Sequence, residues 1–288
     1  MKAIILAAGL GTRLRPMTEN TPKALVKVNQ KPLVEYQIEF LKERGIDDII
    51  IVVGYLKEQF DYLKEKYGVR LVFNEKYADY NNFYSLYLVK EELANSYVID
   101  ADNYLFKNMF RNDIERSTYF SVYREDCDNE WFLVYGDDYK VQDIIVDSKN
   151  GRILSGVSFW DAPTAEKIVG FIVDAYASGK FVDLYWDNMV KDNIKELDVY
   201  VEELEENSIY EIDSVKVRKD SFFTKISNFY ELIPYLFLLD FLCLIQYTSE
   251  NLTFKGSPER LTRCQRKETT IGASKASAYL LLLCKYLN

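Results

Sequence analysis

The chain has no histidine among its 288 residues. That absence excludes Ser-His-Asp triads, imidazole acid–base chemistry and histidine-ligated zinc. Cysteine is scarce as well. Cys127, Cys243, Cys264 and Cys284 form no Cys-x-x-Cys pair, so neither a cysteine zinc site nor a disulfide framework is expected. Positive charge is in deficit. A formal net charge of −9 argues against general nucleic-acid binding, which needs basic surface against phosphate. Long hydrophobic runs are missing too. The greasiest stretch, Leu232 to Tyr247, is interrupted by Pro234 and Asp240 and falls short of the roughly 18–20 apolar residues of a membrane span. The apolar run that begins at Met1 is too short for a signal peptide and passes into a Gly-rich turn at Gly9. A cytoplasmic enzyme is the expectation.

What is present is globular: 48% of residues are hydrophobic and 28% charged, enough for one large domain or two ordinary ones. The charge is divided unevenly. Residues 1–215 carry a net −14 and residues 216–288 a net +5. Three of the four cysteines also fall in the second stretch. The sequence is therefore read as a catalytic domain over 1–215 and an atypical basic, Leu- and Cys-bearing tail over 216–288.

Within 1–215 the pattern alternates. Lys2–Ala7, Asp48–Gly54, Val69–Phe73 and Ser96–Asp100 are short apolar or β-branched runs with strand character. Helices are predicted over Pro32–Arg44, Leu56–Tyr67 and Phe83–Leu93. This order implies a mostly parallel sheet wrapped by helices. Thr118–Tyr123, Trp131–Tyr135, Lys140–Val146 and Ile153–Trp160 read as more antiparallel strands, and Pro163–Ala177 as a helix. Ligands of such sheets sit beyond the carboxyl ends of the strands. Residues 8–23 and 101–103 then share one edge.

The loop after the first strand reads Leu6-Ala-Ala-Gly-Leu-Gly-Thr-Arg-Leu-Arg-Pro and is followed by Thr21-Pro-Lys-Ala-Leu. Small residues at Ala7, Ala8, Gly9 and Gly11 let backbone N–H groups approach a polyphosphate. Arg13, Arg15 and Lys23 supply positive charge. The spacing is neither that of a dinucleotide-binding loop nor that of a P-loop. An isolated Gly-x-Gly is most often a plain turn; the run AAGxGTRL with PKA beyond it is much more specific.

These residues resemble the signature of nucleotidyltransferases that join an NTP to a phosphorylated small molecule, with sugar-1-phosphate pyrophosphorylases as familiar members. Tyr80-Asn-Asn-Phe-Tyr-Ser-Leu86, Asp100-Ala-Asp102-Asn and the Trp131 and Tyr185-Trp186-Asp187 segments are similar to bacterial choline-phosphate cytidylyltransferases. The resemblance runs from residue 1 to about 215. It implies a Rossmann-like α/β/α sandwich with a mixed, mostly parallel sheet and a small antiparallel subregion that binds the acceptor.

The resemblance also assigns roles. It implies nucleotide contacts from Leu6, Ala7, Ala8, Gly9, Gly11, Thr12, Arg13, Tyr80, Asn82 and Ser85. Asn81 and Asn82 are open to a second use as caps of the helix at Phe83. Asp102 and Asp213 stand at the family's metal positions, which implies Mg²⁺; Asp100 is the lesser candidate, because strand alternation can point it elsewhere. Trp131, Tyr185 and Trp186, with Asp187 and Glu211 near them, have the chemistry to hold a quaternary ammonium. The implied reaction is attack of phosphocholine on the α-phosphorus of CTP, with Arg13, Lys23 and Asp102 as the catalytic set. The implied partners are these two small molecules, with no nucleic acid and no membrane unless the tail is an anchor. Alternatives are cytidylyl transfer to another phospho- or phosphono-amine such as 2-aminoethylphosphonate, a sugar-1-phosphate nucleotidyltransferase, and a non-catalytic nucleotide-sensing domain. After Asp213 the sequence departs from the family, and 216–288 reads as an out-of-frame or fused extension.

Overall fold

The structure is a computed structural model and describes residues 1–212. Asp213 and the whole of 216–288 lie outside the described residues, as does the greasy run at 232–247.

Six residues of near-continuous hydrophobicity make β1 (Lys2–Ala7). A small hairpin, β2 (Lys27–Val28) and β3 (Lys31–Pro32), leads into α1 (Leu33–Glu43). Next come β4 (Asp48–Val53), α2 (Tyr62–Tyr67), β5 (Arg70–Phe73), α3 (Asn82–Leu88) and β6 (Ser96–Asp100). The second half holds β7 (Asn103–Leu105), β8 (Thr118–Arg124), β9 (Glu130–Tyr135), β10 (Val141–Asp147) and β11 (Gly151–Trp160). It continues with α4 (Ala162–Ala177), α5 (Asp187–Asp192), β12 (Tyr200–Glu203) and β13 (Ile209–Glu211).

The main sheet runs β10-β9-β11-β6-β1-β4-β5, with β8 joined to β11 and β12. β6, β1, β4 and β5 are mutually parallel, and β11 is antiparallel to β6. Parallel strands buried on both faces need apolar residues at every position, and β1 and β4 supply them. Alternate residues feed two cores. Ala3, Ile5, Ile49 and Ile51 face one layer with Val34, Ile38 and Leu41 of α1 and Leu63 of α2. Ile4, Leu6, Ile50 and Val52 face the other, with Phe83 and Leu86 of α3, Ile168 and Ile172 of α4, and Met189 and Val190 of α5. The result is the expected α/β/α sandwich with an antiparallel extension.

Two predicted helices differ from what forms. The 56–67 segment breaks into a 3-10 turn, Lys57–Phe60, and the short α2. Leu56, at its start, has φ +50°, a left-handed conformation that a helix cannot continue through. The 83–93 helix ends at Leu88, and Lys90–Glu92 form a 3-10 turn. The 163–177 helix is nearly as predicted, with Asp161 accepting from the Thr164 N–H at 2.9 Å as its cap. No helix of the described residues is long and apolar enough to cross a membrane.

Candidate active site

The parallel register sets Leu6 of β1 against Asp100 of β6. The Ala101 N–H donates to the Leu6 carbonyl at 3.2 Å. The loop after β1 and the turn after β6 therefore meet at one sheet edge. Gly11 shapes that loop. It has φ +61°, and a Cβ there would stand 3.1 Å from Lys23 Cβ and 3.1 Å from Thr18 Cγ2. The Thr18 hydroxyl donates to the Gly11 carbonyl at 2.6 Å and pins the turn. The close approach brings Lys23, on the 3-10 turn Lys23–Leu25, over the strand ends. Its Nζ lies 2.6 Å from Asp102 Oδ2 and 3.9 Å from Glu211 Oε1.

Two lobes of one cleft share a wall that includes Asp102, with Lys23 on the side of the first. The first, about 610 Å³, is lined by Leu6, Ala7, Ala8, Gly9, Gly11, Thr12, Arg13, Tyr80, Asn82 and Ser85. Every residue expected to contact nucleotide is thus brought together, along with Asn74, Tyr77 and Asp79, which sequence reasoning missed. The second, about 410 Å³, is lined by Trp131, Tyr185, Trp186, Asp187 and Glu211. It too adds unanticipated residues, Tyr119, Asp128 and Glu130. Arg13, Asn82, Asp100, Asp102 and Tyr185 line both lobes.

The three aromatics expected at the acceptor differ in exposure. Tyr185 is 49% exposed, whereas Trp186 is only 3% exposed and meets Trp160 edge-on, with ring centroids 5.6 Å apart. Trp186 therefore forms floor and core, not an open face. Trp131 is half-buried on β9. Asn81 and Asn82 do not cap α3 with their side chains. Asn82 Oδ1 accepts from the Trp186 N–H at 3.0 Å, and Asn81 Nδ2 donates to the Asp183 carbonyl at 3.0 Å. They tie the two lobes' walls together across about a hundred residues of sequence, a pairing with no local signal.

Charge in the site is strongly one-signed at its floor. Burial, and then the neighbouring charges of Asp102, Asp187 and Glu211, push the Asp100 carboxyl well above the usual carboxylate range, against the pull of Lys23. Burial pushes Asp187 up to about 7, although the Tyr119 hydroxyl donates to its Oδ1 at 2.9 Å. Among the described residues no three His, Cys, Asp or Glu side chains form a ready-made metal cage. A set of carboxylates at the strand ends, with a glycine-shaped loop and two cationic side chains facing them, handles a polyphosphate and a second charged group side by side. Fold and site together define a nucleotidyltransferase.

Comparison with known proteins agrees. The family model described as nucleotidyl transferase matches residues 2–119. Over 216 residues the chain is 93% identical to choline-phosphate cytidylyltransferase from Streptococcus pneumoniae, covering 75% of this chain and 94% of that protein. A solved structure of CTP:phosphocholine cytidylyltransferase from the same species is 92% identical, with a TM-score of 0.74, over 74% of this chain and 94% of that one. The 2-aminoethylphosphonate cytidylyltransferase of Lancefieldella rimae is 37% identical over 217 residues, covering 74% of this chain and 88% of that protein. The chain belongs to the choline-phosphate cytidylyltransferase family.

Proposed function

We propose that the protein transfers CMP from CTP to phosphocholine, giving CDP-choline and pyrophosphate. The observation that carries this reading is the shared wall. A nucleotide lobe and an aromatic, acidic lobe abut at Asp102, and Lys23, in the lining of the first, lies 2.6 Å from its carboxylate. A transfer reaction needs donor and acceptor phosphates at such a junction, and holding them there supplies much of the rate.

The phosphate of phosphocholine is already anionic and attacks the α-phosphorus in line, so no general base is required. Lys23 sits where the incoming phosphate and the α-phosphate crowd their negative charge, and neutralises it there. Arg13 lines both lobes and holds the β- and γ-phosphates. The backbone from Ala8 to Thr12 wraps the triphosphate, and Tyr80, Asn82 and Ser85 face the base. In the second lobe Trp131 and Tyr185 offer ring faces to the trimethylammonium, and Asp187 and Glu211 offer charge. The residues fit Mg²⁺: their donors are hard carboxylate oxygens only, and this ion takes few ligands from protein and the rest from water and phosphates. Asp102 would hold it, with Asp213 beyond the described residues. When bound, the ion supplies positive charge to the triphosphate oxygens.

We assign the reaction to the cytoplasm, a reading that the small phosphorylated substrates support. Residues 1–215 act as the catalytic domain and 216–288 as an out-of-frame or fused extension, a reading supported by the charge reversal and by similarity that spans 75% of the chain. A primary amine is a second acceptor class, favoured by the likeness to the phosphonate enzyme and by the acidic lobe lining.

Pyrophosphate release measured over CTP, UTP, ATP and dTTP with phosphocholine, 2-aminoethylphosphonate and glucose 1-phosphate should peak at CTP with phosphocholine. A higher kcat/KM for the phosphonate would transfer the assignment to the second acceptor class. Lys23→Ala should lower kcat by on the order of 10²–10³ with the fold intact; near-normal turnover removes Lys23 from the chemistry. Trp131→Ala should raise the KM for phosphocholine by about 3–30-fold, the value of one cation–π contact, and leave the KM for CTP nearly unchanged. Equal effects on both substrates would contradict the acceptor assignment. Asp187 attracts the ammonium only when ionised, and its pKa is about 7. The phosphocholine KM should therefore rise as pH falls through neutrality, and Asp187→Asn should flatten that profile; an unchanged profile in the variant would exclude Asp187 as its source.

A further inference from the structure

Helix α1 carries two buried polar side chains, Glu35 and Gln37, which flank its apolar stripe on opposite sides. Glu35 is fully served. Tyr62, Lys66 and Tyr67 all donate to it. Gln37 is not. It has no exposed surface, and its Oε1 finds no hydrogen-bond partner. An orphaned buried acceptor costs stability, and its helix neighbours Val34, Ile38 and Leu41 show that the face is otherwise apolar. A leucine or methionine would suit packing there better.

The other end of the amide explains its presence. Gln37 Nε2 donates to the Asp100 carbonyl at 3.0 Å and to the Asn103 carbonyl at 2.9 Å. Both are acceptors, so the amide has one orientation; a flip would set oxygen against two oxygens. These two carbonyls flank Asp102. The amide closes the turn between them from beneath, and both amide protons are used in doing so. From the opposite side the turn meets Gly156 of β11, which has φ +76°. A Cβ there would stand 2.4 Å from Asn103 Nδ2 and 3.0 Å from Asp100 Oδ2. Within the turn, the Ala101 N–H donates to the Leu6 carbonyl and the Asp102 carbonyl accepts from the Ile212 N–H.

We infer that Gln37 is a positioning residue of the transfer reaction: its amide clamps the Asp100–Asn103 turn so that the Asp102 carboxylate faces Lys23. The inference rests on the reading of Asp102 and Lys23 as catalytic. It explains why a polar group with an unmet acceptor occupies a core position against the turn that carries Asp102. Gln37 touches no substrate; it acts through the backbone that carries Asp102. Loss of such support from beneath a site costs about 10–100-fold in activity.

The test is a double-mutant cycle. Gln37→Met keeps the volume and removes both donors; Gln37→Glu keeps the shape and presents acceptors to both carbonyls. Each is measured by single-turnover CDP-choline formation in the native background and in Asp102→Asn. The expected result is a kcat lower by about 10–100-fold with the CTP KM nearly unchanged in the native background, and a loss of less than about threefold in Asp102→Asn, since coupled residues are non-additive. An equal loss in both backgrounds would overturn the inference, as would native kcat in either Gln37 variant or failure of both variants to fold, any of which makes Gln37 a plain packing element. If Asp102→Asn alone has native activity, the catalytic reading of Asp102 fails instead, and the two failures are thereby told apart.

Discussion

Asp100 and Asp102 stand where the two lobes of the cleft meet, and the burial of Asp100 among the charges of Asp102, Asp187 and Glu211 is the constraint around which the site is built. Asp100, Asp102, Asp187 and Glu211 all line the second lobe. Burial and neighbouring charge push the Asp100 carboxyl well above the usual carboxylate range, and burial pushes Asp187 up to about 7. Lys23 enters this cluster at hydrogen-bond distance from Asp102. It does so because Gly11 lets the returning loop pack within van der Waals contact of the first turn. A site balanced in this way is completed by cations and by groups that bring their own counter-charge. Phosphocholine brings an ammonium and a phosphate together, which suits a lobe with acids on one wall and a lysine at its mouth.

The absence of histidine and the net negative charge take on meaning in that setting. A phosphate nucleophile needs no base, so imidazole has no task. Asp100, Asp102, Asp128, Glu130, Asp187 and Glu211 line the second lobe, whereas Arg13 and Lys23 of the loop from Leu6 to Lys23 line the first. Opposite charge requirements are met within one cleft whose two lobes each draw on both halves of the chain, and the bonds that join Asn81 and Asn82 to the 183–186 segment hold those halves together.

Much of the fold was legible because it is written in local pattern. β-branched runs over 48–53 and 96–100 form the parallel strands expected of them, and the loop 8–23 lies at the sheet edge as strand topology requires. The short strands β7, β12 and β13 had no such signal, since each is made by pairing with a distant partner. Leu56, the first residue of a predicted helix, is kept out of it by a left-handed conformation that local pattern does not announce. At the site, the phosphate loop was readable from its small residues and spacing. The division of labour among Trp131, Tyr185 and Trp186 was not, because adjacent aromatics say nothing about which ring faces a cavity and which fills the core. Gln37 was equally invisible: its meaning lies in two carbonyls some 60 residues away in sequence, at Asp100 and Asn103.

The central claim is that donor and acceptor occupy separate lobes and meet at Lys23 and Asp102. A crystal structure with CDP-choline bound tests it directly. The account predicts cytidine against Tyr80, Asn82 and Ser85, the trimethylammonium against Trp131 and Tyr185, and the diphosphate between them within reach of Lys23. A product lying wholly in one lobe, with its diphosphate remote from Lys23, would contradict it.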